Sequence, residues 1–301
     1  MSNRSVLVLG RSGQLARELA HADWPSAWRP QFAAHSDIDL SRPELAACLV
    51  TAANPDLVIN AAAYTAVDKA EGESELAMCI NCTAPAAIAA ACARRDIPFV
   101  TISTDYVFDG RKVGAYTEED AVCPINVYGL SKMEGERLVR ASHDWHLILR
   151  TSWVFSASGS NFVRAMLRLA RERQSVSVVA DQRGRPTAAA DLARAVIHGS
   201  GVVLKNRRLS GTYHVANCDA VSWHDFAVAI FEAAARYGIS APEVRAIQTA
   251  EYPTPARRPA NSELSTAKFE RAFGMTLRPW KEALTVVIAE LTPVASGATR
   301  G

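Results

Sequence analysis

The sequence predicts an α/β protein, with a Rossmann-type, doubly wound parallel sheet and a smaller C-terminal substrate-binding domain. Three observations predict this class. Short apolar runs alternate with segments of helical periodicity through the first half of the chain. A glycine-rich turn follows the first of those runs. The 301 residues, 49% of them hydrophobic, are enough for a main domain and a smaller second one.

The predicted strands are near-continuous apolar runs, as expected for strands that helices cover on both faces. They are "SVLVLG" (5–10), "DLVINAAA" (56–63), "DIPFVTIST" (96–104) and "WHLILRTSWVF" (145–155). Helical periodicity lies between them, including an alanine-rich helix around Cys79 and Cys82 and a helix over residues 126–141. Parallel strands joined by helices bind ligands beyond their carboxyl ends, so we expect the functional site there.

The alternation becomes less regular after residue 155, which predicts a second domain assembled from crossing segments. We expect residues 1–156 and 188–217 to form the NAD(P)-binding Rossmann domain. We expect residues 157–187 and 218–301, which include the proline-rich loop "YPTPARRPANS" (252–262), to form the substrate-binding domain. The two domains would enclose a substrate cleft against the sheet.

Composition and charge exclude several classes of function. Lysines and arginines number 33 against 31 acidic residues, a net charge of +2 without a basic block, so a nucleic acid has little to bind. The first apolar run is too short for a signal peptide, and no run of about 18 apolar residues predicts a membrane span. Cys79 and Cys82 have no second pair or nearby histidine, which favours packing over zinc binding. We expect a cytoplasmic protein, monomeric or homodimeric.

The glycine-rich turn "LGRSGQLAREL" predicts dinucleotide binding. Gly10, Gly13 and Ala16 follow the pattern G-x-x-G-x-x-A between the first strand and the first helix. Gly10 permits the tight turn, and Gly13 lets a pyrophosphate approach backbone N–H groups at the helix N-terminus. Ala16 is still small enough for close packing of the helix on the strand.

The segment "FAAHSDIDL" (32–40) should end the second strand and face the adenosine ribose. A carboxylate at that strand end binds the ribose 2′-hydroxyl of NAD, whereas its absence accommodates the 2′-phosphate of NADP. Asp37 comes slightly late for this role, and Arg11 in the glycine turn is placed to face a 2′-phosphate. The sequence therefore favours NADPH, with NADH also possible. The residues expected near the adenosine are His35, Ser36, Asp39 and Leu40.

Two further motifs, "STDYVFDG" (103–110) and "VYGLSK" (127–132), predict the catalytic residues. Thr104 ends a predicted strand on the ligand side, while Tyr128 and Lys132 share one helix face because they are four residues apart. A lysine and a nicotinamide ring nearby would lower the pKa of the tyrosine from about 10, as suits a proton donor. Taken alone, the pair also fits an exposed amphipathic helix, but its place beside a nucleotide fold favours catalysis.

Four more stretches complete the pattern: "NAAAYTAVDKAE" (60–71), "RTSWVF" (150–155), "NFVRAMLRLA" (161–170) and "DQRGRPT" (181–187). With the glycine turn and the Thr104, Tyr128 and Lys132 set, they resemble the extended short-chain dehydrogenase/reductases that act on nucleotide sugars. The matches run from residue 5 to about residue 291. The resemblance implies that NAD(P)H transfers a hydride to the 4-keto group of a dTDP-4-keto-6-deoxy sugar.

The resemblance also implies residue roles. Tyr128 would donate the proton, and Lys132 would bind the nicotinamide ribose and tune Tyr128. The cofactor side would comprise Gly10, Arg11, Ser12, Gly13, Gln14, Leu15, Ala62, Ala63 and Thr65. The substrate side would comprise Val67, Thr104, Asp105, Trp153 and Arg258, the last near the diphosphate. Without the resemblance, Trp153 also fits a core residue and Asp105 a turn cap.

Some members of the family dimerise through Mg²⁺ held by carboxylates at the interface. Glu18 and Glu290 match two of those positions, but Ala190 stands where another member has an acid. The resemblance therefore leaves Mg²⁺ as an uncertain cofactor.

Two other functions remain open. A non-catalytic NADP-binding partner, similar to the regulatory subunit of methionine adenosyltransferase, would not need an intact set of Thr104, Tyr128 and Lys132, so that set favours an enzyme. A reductase or epimerase of another nucleotide-keto sugar would keep the same residues, and the sequence does not separate it from the first reading.

Overall fold

The computed structural model describes residues 3–292 of the chain. The strands are β1 Arg4–Leu9, β2 Trp28–Ala33, β3 Leu57–Asn60, β4 Phe99–Thr104, β5 His146–Thr151, β6 Val154–Phe155, β7 Ser175–Val179, β8 Arg183–Gly184, β9 Thr187–Ala188, β10 Gly211–His214, β11 Val221–Ser222 and β12 Glu243–Ile247. The helices are α1 Gln14–His21, α2 Pro43–Ala53, α3 Val67–Ala70, α4 Ser74–Met78, α5 Ala84–Ala93, α6 Val127–Ser142, α7 Phe162–Glu172, α8 Ala189–Lys205, α9 Trp223–Ala235, α10 Ala267–Phe273 and α11 Trp280–Leu291. Short 3₁₀ turns lie at Asp105–Val107, Arg207–Leu209 and Thr249–Glu251.

The main sheet has six parallel strands in the order β10-β5-β4-β3-β1-β2. The chain leaves β1 toward β2 on one side and returns to β3 on the other, so the direction of winding reverses between β1 and β3. In such sheets the crevice at this reversal binds the ligand. The predicted doubly wound parallel sheet is confirmed. The strand predicted over residues 145–155 is divided into β5 and β6, because Trp153 adopts a positive φ of 48° between them.

Helices cover both faces of this sheet. On one face, α1 and α8 bury Leu19 and Val196 against the strands, and on the other α2 and α5 bury Val50 and Ile88. All four side chains are fully buried. These two clusters fix the strands whose carboxyl ends carry the predicted site.

A separate cluster lies beyond the main sheet. It packs α7, α9 and α11 around the β7–β12 pair, with Phe226 and Ile230 fully buried. This cluster supports the predicted division into two domains, whose boundaries stay a prediction. The structure differs at one segment within 218–301, since Phe269 and Phe273 of α10 pack into the cluster on the main sheet.

The alanine-rich stretch Ser74–Ala93 is, contrary to the expectation from sequence, long and apolar enough to cross a membrane by length and composition. Half of that stretch is buried, and its α5 segment packs against α2 and α6 over the sheet. A π turn at Cys79–Thr83 interrupts the helix. Cys82 is buried there and Cys79 donates to the Ser41 carbonyl at 3.2 Å, which agrees with packing roles for the two thiols.

Candidate active site

A cavity of about 970 Å³ opens at the carboxyl ends of the main-sheet strands, and side chains of α7 and α9 close its other side. Every residue predicted to contact the cofactor or the substrate lines this cavity, except Ser36. The structure thus brings the glycine turn and the Thr104, Tyr128 and Lys132 set to one place. The two parts are separated by more than 80 residues of sequence, and the parallel sheet aligns them because all its strands end at the same edge.

The glycine turn has the shape of a pyrophosphate cradle. Gly10 has a φ of +111°, and a Cβ on it would lie 3.3 Å from the Ala61 carbonyl carbon and the Ala62 nitrogen. Gly13 precedes the first turn of α1, and a Cβ there would meet nothing within 4 Å. The first glycine therefore serves the fold, while the second leaves space in front of the N-terminus of α1. Open space before a helix N-terminus fits a phosphate group.

The Gln14 side chain is turned toward the second cluster. Its Oε1 accepts hydrogen bonds from Ser156 Oγ at 3.0 Å and from Asn161 Nδ2 at 2.9 Å. Asn161 in turn caps α7, where its side chain accepts from the Arg164 amide. Gln14 thereby ties the predicted cofactor turn to the segment that begins the second cluster.

The turn after β2 places Ser36, which was predicted to lie near the adenosine, outside the cavity lining. Asp37 Oδ2 accepts from the Ala34 amide at 2.7 Å and closes the turn, and neither Asp37 nor Ser36 lines the cavity. The exposed Ser36 lies within this turn, and its contact with the cofactor stays a prediction. Arg11 and His35 do line the cavity, as does Asp39, which accepts from the Ser41 amide at 2.9 Å.

Helix α6 carries Tyr128 and Lys132 into the cavity. Its N-cap residue Asn126 accepts from the Gly129 amide at 2.7 Å, which starts the helix one residue before Tyr128. A Cβ on Gly129 would lie 2.1 Å from the Tyr106 carbonyl oxygen, so only glycine lets α6 approach the turn after β4 this closely. Lys132 is only 6% exposed and donates to the Ile102 carbonyl at 2.7 Å. The exposed-helix alternative is therefore wrong.

The pKa of Tyr128 moves in the opposite direction from the one expected. Burial raises the pKa of Tyr128 to about 12, although a hydrogen bond with the Thr104 side chain lowers it. Burial lowers the pKa of Lys132 to about 8, against the opposing charge of Glu136. In the protein alone, the predicted lowering of the Tyr128 pKa is thus outweighed by the loss of hydration. The phenol keeps its proton near neutral pH and is a donor rather than a base.

Asp105 brings an acid to the end of β4. Its Oδ1 accepts from Thr104 Oγ1 at 2.9 Å, and its Oδ2 has no hydrogen-bond partner among residues 3–292. Burial raises the pKa of Asp105 to about 7, partly offset by the hydroxyl groups of Ser262 and Thr104. A buried oxygen without a hydrogen-bond partner calls for an explanation, and a polar group of a bound ligand or a water molecule would supply the missing bond.

The sequence did not reveal several residues that hold the site together. Asp68 binds Arg258 through both guanidinium nitrogens, at 2.9 and 2.8 Å, so the predicted diphosphate contact is already paired with a carboxylate. Buried Asn81 in the π turn accepts from the Tyr64 amide at 2.9 Å and donates to Ser131 Oγ at 3.0 Å. The motif "NAAAYTAVDKAE" contained Asp68, but no local signal marked either interaction.

The predicted metal ligands lie outside the cavity. Burial raises the pKa of Glu18, and the charge of Glu290 on α11 raises it further, so the two carboxylates are near one another. No third metal-binding side chain joins them anywhere within the described part of the chain, and Ala190 is the second residue of α8. The described residues thus offer two carboxylates here, and a Mg²⁺ ion bound by them would take its remaining ligands from water or from another chain.

A dinucleotide cradle at the winding reversal of a parallel sheet, with a half-buried tyrosine and a buried lysine beside it, is the arrangement of the extended short-chain dehydrogenase/reductases. The chain is an NAD(P)-dependent oxidoreductase of this class. Comparison with known proteins identifies the family within this class. The family model described as "RmlD substrate binding domain" matches residues 4–292, and the chain belongs to this family of dTDP-4-dehydrorhamnose reductases.

Individual relatives are similar to this protein in sequence along nearly the whole chain. The dTDP-4-dehydrorhamnose reductase of Salmonella typhimurium is 41% identical over 292 residues, which cover 95% of this chain and 98% of that protein. The enzyme of the same name from Burkholderia thailandensis is 43% identical over 297 residues, with 95% and 98% covered. A crystal structure of the Bacillus anthracis reductase in complex with NADP has a TM-score of 0.88 at 35% identity, covering 96% of this chain and 99% of that one.

Proposed function

We propose that this chain catalyses the NADPH-dependent reduction of dTDP-6-deoxy-L-lyxo-4-hexulose at its 4-keto group, which yields dTDP-L-rhamnose. The observation that carries the proposal is that Thr104, Tyr128 and Lys132 line one cavity with the glycine cradle, in a chain of this family. We further propose that the enzyme works in the cytoplasm as a monomer or homodimer.

The chain's own residues supply proton transfer and positioning. A bound nicotinamide cofactor supplies the hydride. The Tyr128 phenol, whose pKa of about 12 keeps it protonated, donates its proton to the carbonyl oxygen as that oxygen gains negative charge. Thr104 lies within hydrogen-bonding reach of the phenol and orients it. The Lys132 ammonium stabilises the phenolate that remains.

The other lining residues support recognition of the nucleotide sugar. Trp153 and Val67 offer apolar surface, and Asp105 offers its unpartnered Oδ2 to a sugar hydroxyl. Arg258 would reach a diphosphate by exchanging part of its pairing with Asp68. A guanidinium held in place by a carboxylate binds phosphate with little loss of side-chain entropy.

NADPH is the favoured cofactor because Asp37, the acid nearest the end of β2, is engaged in its own turn while Arg11 lines the cavity. We expect NADH to be used as well, with a lower kcat/KM. Steady-state kinetics with each cofactor measures the preference, and a strong preference for NADH would show that Asp39 binds the ribose.

The reaction can be tested directly. The purified protein is incubated with dTDP-4-keto-6-deoxyglucose, a 3,5-epimerase and NADPH, and loss of the nicotinamide absorbance is followed together with chromatography of the sugar nucleotide. We expect oxidation of NADPH only when the epimerase is present, with dTDP-L-rhamnose as product. Turnover without the epimerase, or equal turnover of a UDP-linked keto sugar, would favour a reductase of another nucleotide sugar. NADPH binding without any turnover would favour the non-catalytic partner protein.

A further inference from the structure

A buried group of charges lies directly behind the catalytic lysine. Glu136 follows Lys132 by one helical turn on α6 and is 3% exposed. Its Oε1 accepts from Ser103 Oγ at 2.6 Å and from Arg150 Nε at 2.8 Å, and its Oε2 accepts from Arg150 Nη2 at 2.7 Å. Arg140, on the same helix and partly exposed, adds a bond to Oε2 at 3.1 Å.

This carboxylate is held rigidly from three elements. Ser103 comes from β4, immediately before Thr104, and Arg150 comes from β5. The Arg150 guanidinium lies over the Phe108 ring and has His214 Nε2 at 3.4 Å. Burial and the charge of Arg150 lower the pKa of His214 to about 3, so the imidazole is neutral and accepts from the arginine. None of these groups contacts the solvent freely, since Glu136, Arg150 and His214 are each at most 3% exposed.

Such a group costs more than a hydrophobic packing of the same volume, because each buried ion loses its hydration. Packing alone therefore does not explain why a charged pair occupies this place. The position of this charged pair, one helical turn from Lys132, suggests an electrostatic role instead. Lys132 is the nearest functional group on the same helix face, and it too is buried without a carboxylate bonded to its Nζ, which donates to the Ile102 carbonyl.

We propose that Glu136 is a positioning residue for the reaction, whose fixed negative charge keeps the buried Lys132 ammonium protonated and directed to the cavity. Burial by itself favours the neutral amine, and Glu136 is the neighbouring charge that opposes this effect. A neutral Lys132 would neither bind the nicotinamide ribose as a cation nor stabilise the Tyr128 phenolate. The part of this inference that concerns turnover rests on the proposed function, whereas the part that concerns cofactor binding does not.

The ionisation of Lys132 predicts the direction in which NADPH affinity and kcat/KM change with pH. Lys132 is protonated below its pKa of about 8, so NADPH affinity and kcat/KM should both fall as the pH rises through that value. Other ionisable groups face this region: Tyr128 and Arg140 from α6, Asp105 from the end of β4, Arg150 from β5 and His214 from β10. Neither the phenol nor the imidazole titrates between pH 6 and 10, because their pKa values are about 12 and about 3. Asp105, whose pKa is about 7, does titrate in this window, so the effect of Glu136 is measured as the difference between its variants and the wild type, which all keep Asp105.

Two matched variants separate charge from shape. Glu136→Gln keeps the size of the side chain and removes its charge, so the fall in NADPH affinity should move about one pH unit lower. Glu136→Asp keeps the charge and disturbs the bonds to Ser103 and Arg150, so the fall should stay at the wild-type pH even if the melting temperature decreases. NADPH binding is measured by nicotinamide fluorescence from pH 6 to pH 10, and kcat/KM is measured across the same range.

The outcomes distinguish the possibilities. An unmoved profile in Glu136→Gln, or an equal downward shift in Glu136→Asp, would overturn the proposal and leave Glu136 a purely structural residue. If the unpaired Arg150 prevents Glu136→Gln from folding, the double variant Glu136→Gln/Arg150→Met removes both charges, and its fall in NADPH affinity must lie at a lower pH than that of Arg150→Met, which keeps Glu136. If the wild-type protein binds NADPH with this profile but does not reduce the keto sugar, the proposed reaction fails while the role of Glu136 stands.

Discussion

The Trp153 ring lies flat against the Trp223 ring, with centroids 3.5 Å apart and planes 6° apart. Trp153 adopts the left-handed backbone region at a φ of 48°, a conformation that costs on the order of 1 kcal/mol for a bulky residue. Gly184 makes room for it, since a Cβ there would lie 2.5 Å from the Trp153 ring. The stack on Trp223 therefore holds Trp153, whose backbone is strained, in the wall of the cavity.

This stack leads to a prediction about the substrate side. Trp153→Ala should weaken binding of the sugar nucleotide by about tenfold or more, because truncation of a buried aromatic contact typically costs at least 1–2 kcal/mol. Trp223→Ala should have a smaller effect of the same kind, since it removes only the support for Trp153. Calorimetry with dTDP-rhamnose and with NADPH separately measures both effects. An equal loss of affinity for the two ligands, or a collapsed melting temperature, would identify Trp153 as a core residue.

The two glycines of the turn should respond differently to the same substitution. Gly10→Ala should lower the stability of the fold by about 1–3 kcal/mol, because alanine is strained at a φ of +111° and its Cβ meets Ala61. Gly13→Ala should leave the stability nearly unchanged, because its Cβ meets only open space, yet it should weaken NADPH binding where the pyrophosphate needs that space. Chemical denaturation and fluorescence titration of both variants check this contrast. Unchanged NADPH affinity in Gly13→Ala would place the pyrophosphate elsewhere.

Asp105 should make the free protein less stable as the pH rises. Its pKa is about 7 in the folded chain and about 4 when unfolded, so the folded state binds more protons between these values. Stability should therefore decrease as the pH rises from about 4 to about 7, and the ionised side chain should cost a few kcal/mol above that range. Asp105→Asn should raise the melting temperature at pH 8 and change it less at pH 5. A similar change at both pH values would show that the carboxyl group titrates normally.

Local spacing explains what the sequence could predict. The glycine turn and the Tyr128–Lys132 pair depend on residues a few positions apart within one turn or one helix, so their geometry follows from the backbone period. Thr104 was found for a similar reason, because it ends an apolar strand. The order of the strands then aligned these motifs, as a parallel α/β pattern implies.

Tertiary contacts explain what the sequence could not predict. Trp223 is 70 residues from Trp153 in the sequence, and Arg258 is 190 residues from Asp68. Neither pairing therefore produces a periodic pattern in the sequence. The hydrogen bond from the Ala34 amide to Asp37, which shapes the turn after β2 and leaves Ser36 outside the cavity, left no local signal in the sequence either. The raised pKa of Tyr128 was missed because its main cause is burial, which depends on the whole fold, and because the charge of Asp105 raises it further.

The proton on Tyr128 leads to the sharpest test of the mechanism. Hydride arriving at a carbonyl carbon leaves negative charge on its oxygen, and a positioned general acid contributes about 10²- to 10⁴-fold to the rate. Tyr128→Phe keeps the ring and its edge-on contact with Tyr106, which has centroids 5.8 Å apart, but removes the proton. We expect kcat to fall within that range while NADPH still binds.

Lys132→Met should lose rate as well, and it should also weaken NADPH binding, because Lys132 is expected to hold the ribose. The pair of variants thus separates proton donation from cofactor binding, in assays of turnover and of nicotinamide fluorescence. If Tyr128→Phe retained more than about a tenth of the wild-type kcat, a smaller loss than a general acid should cause, another group would have to supply the proton. Asp105, with a pKa of about 7 and an unpartnered oxygen in the same cavity, would then be the residue to test.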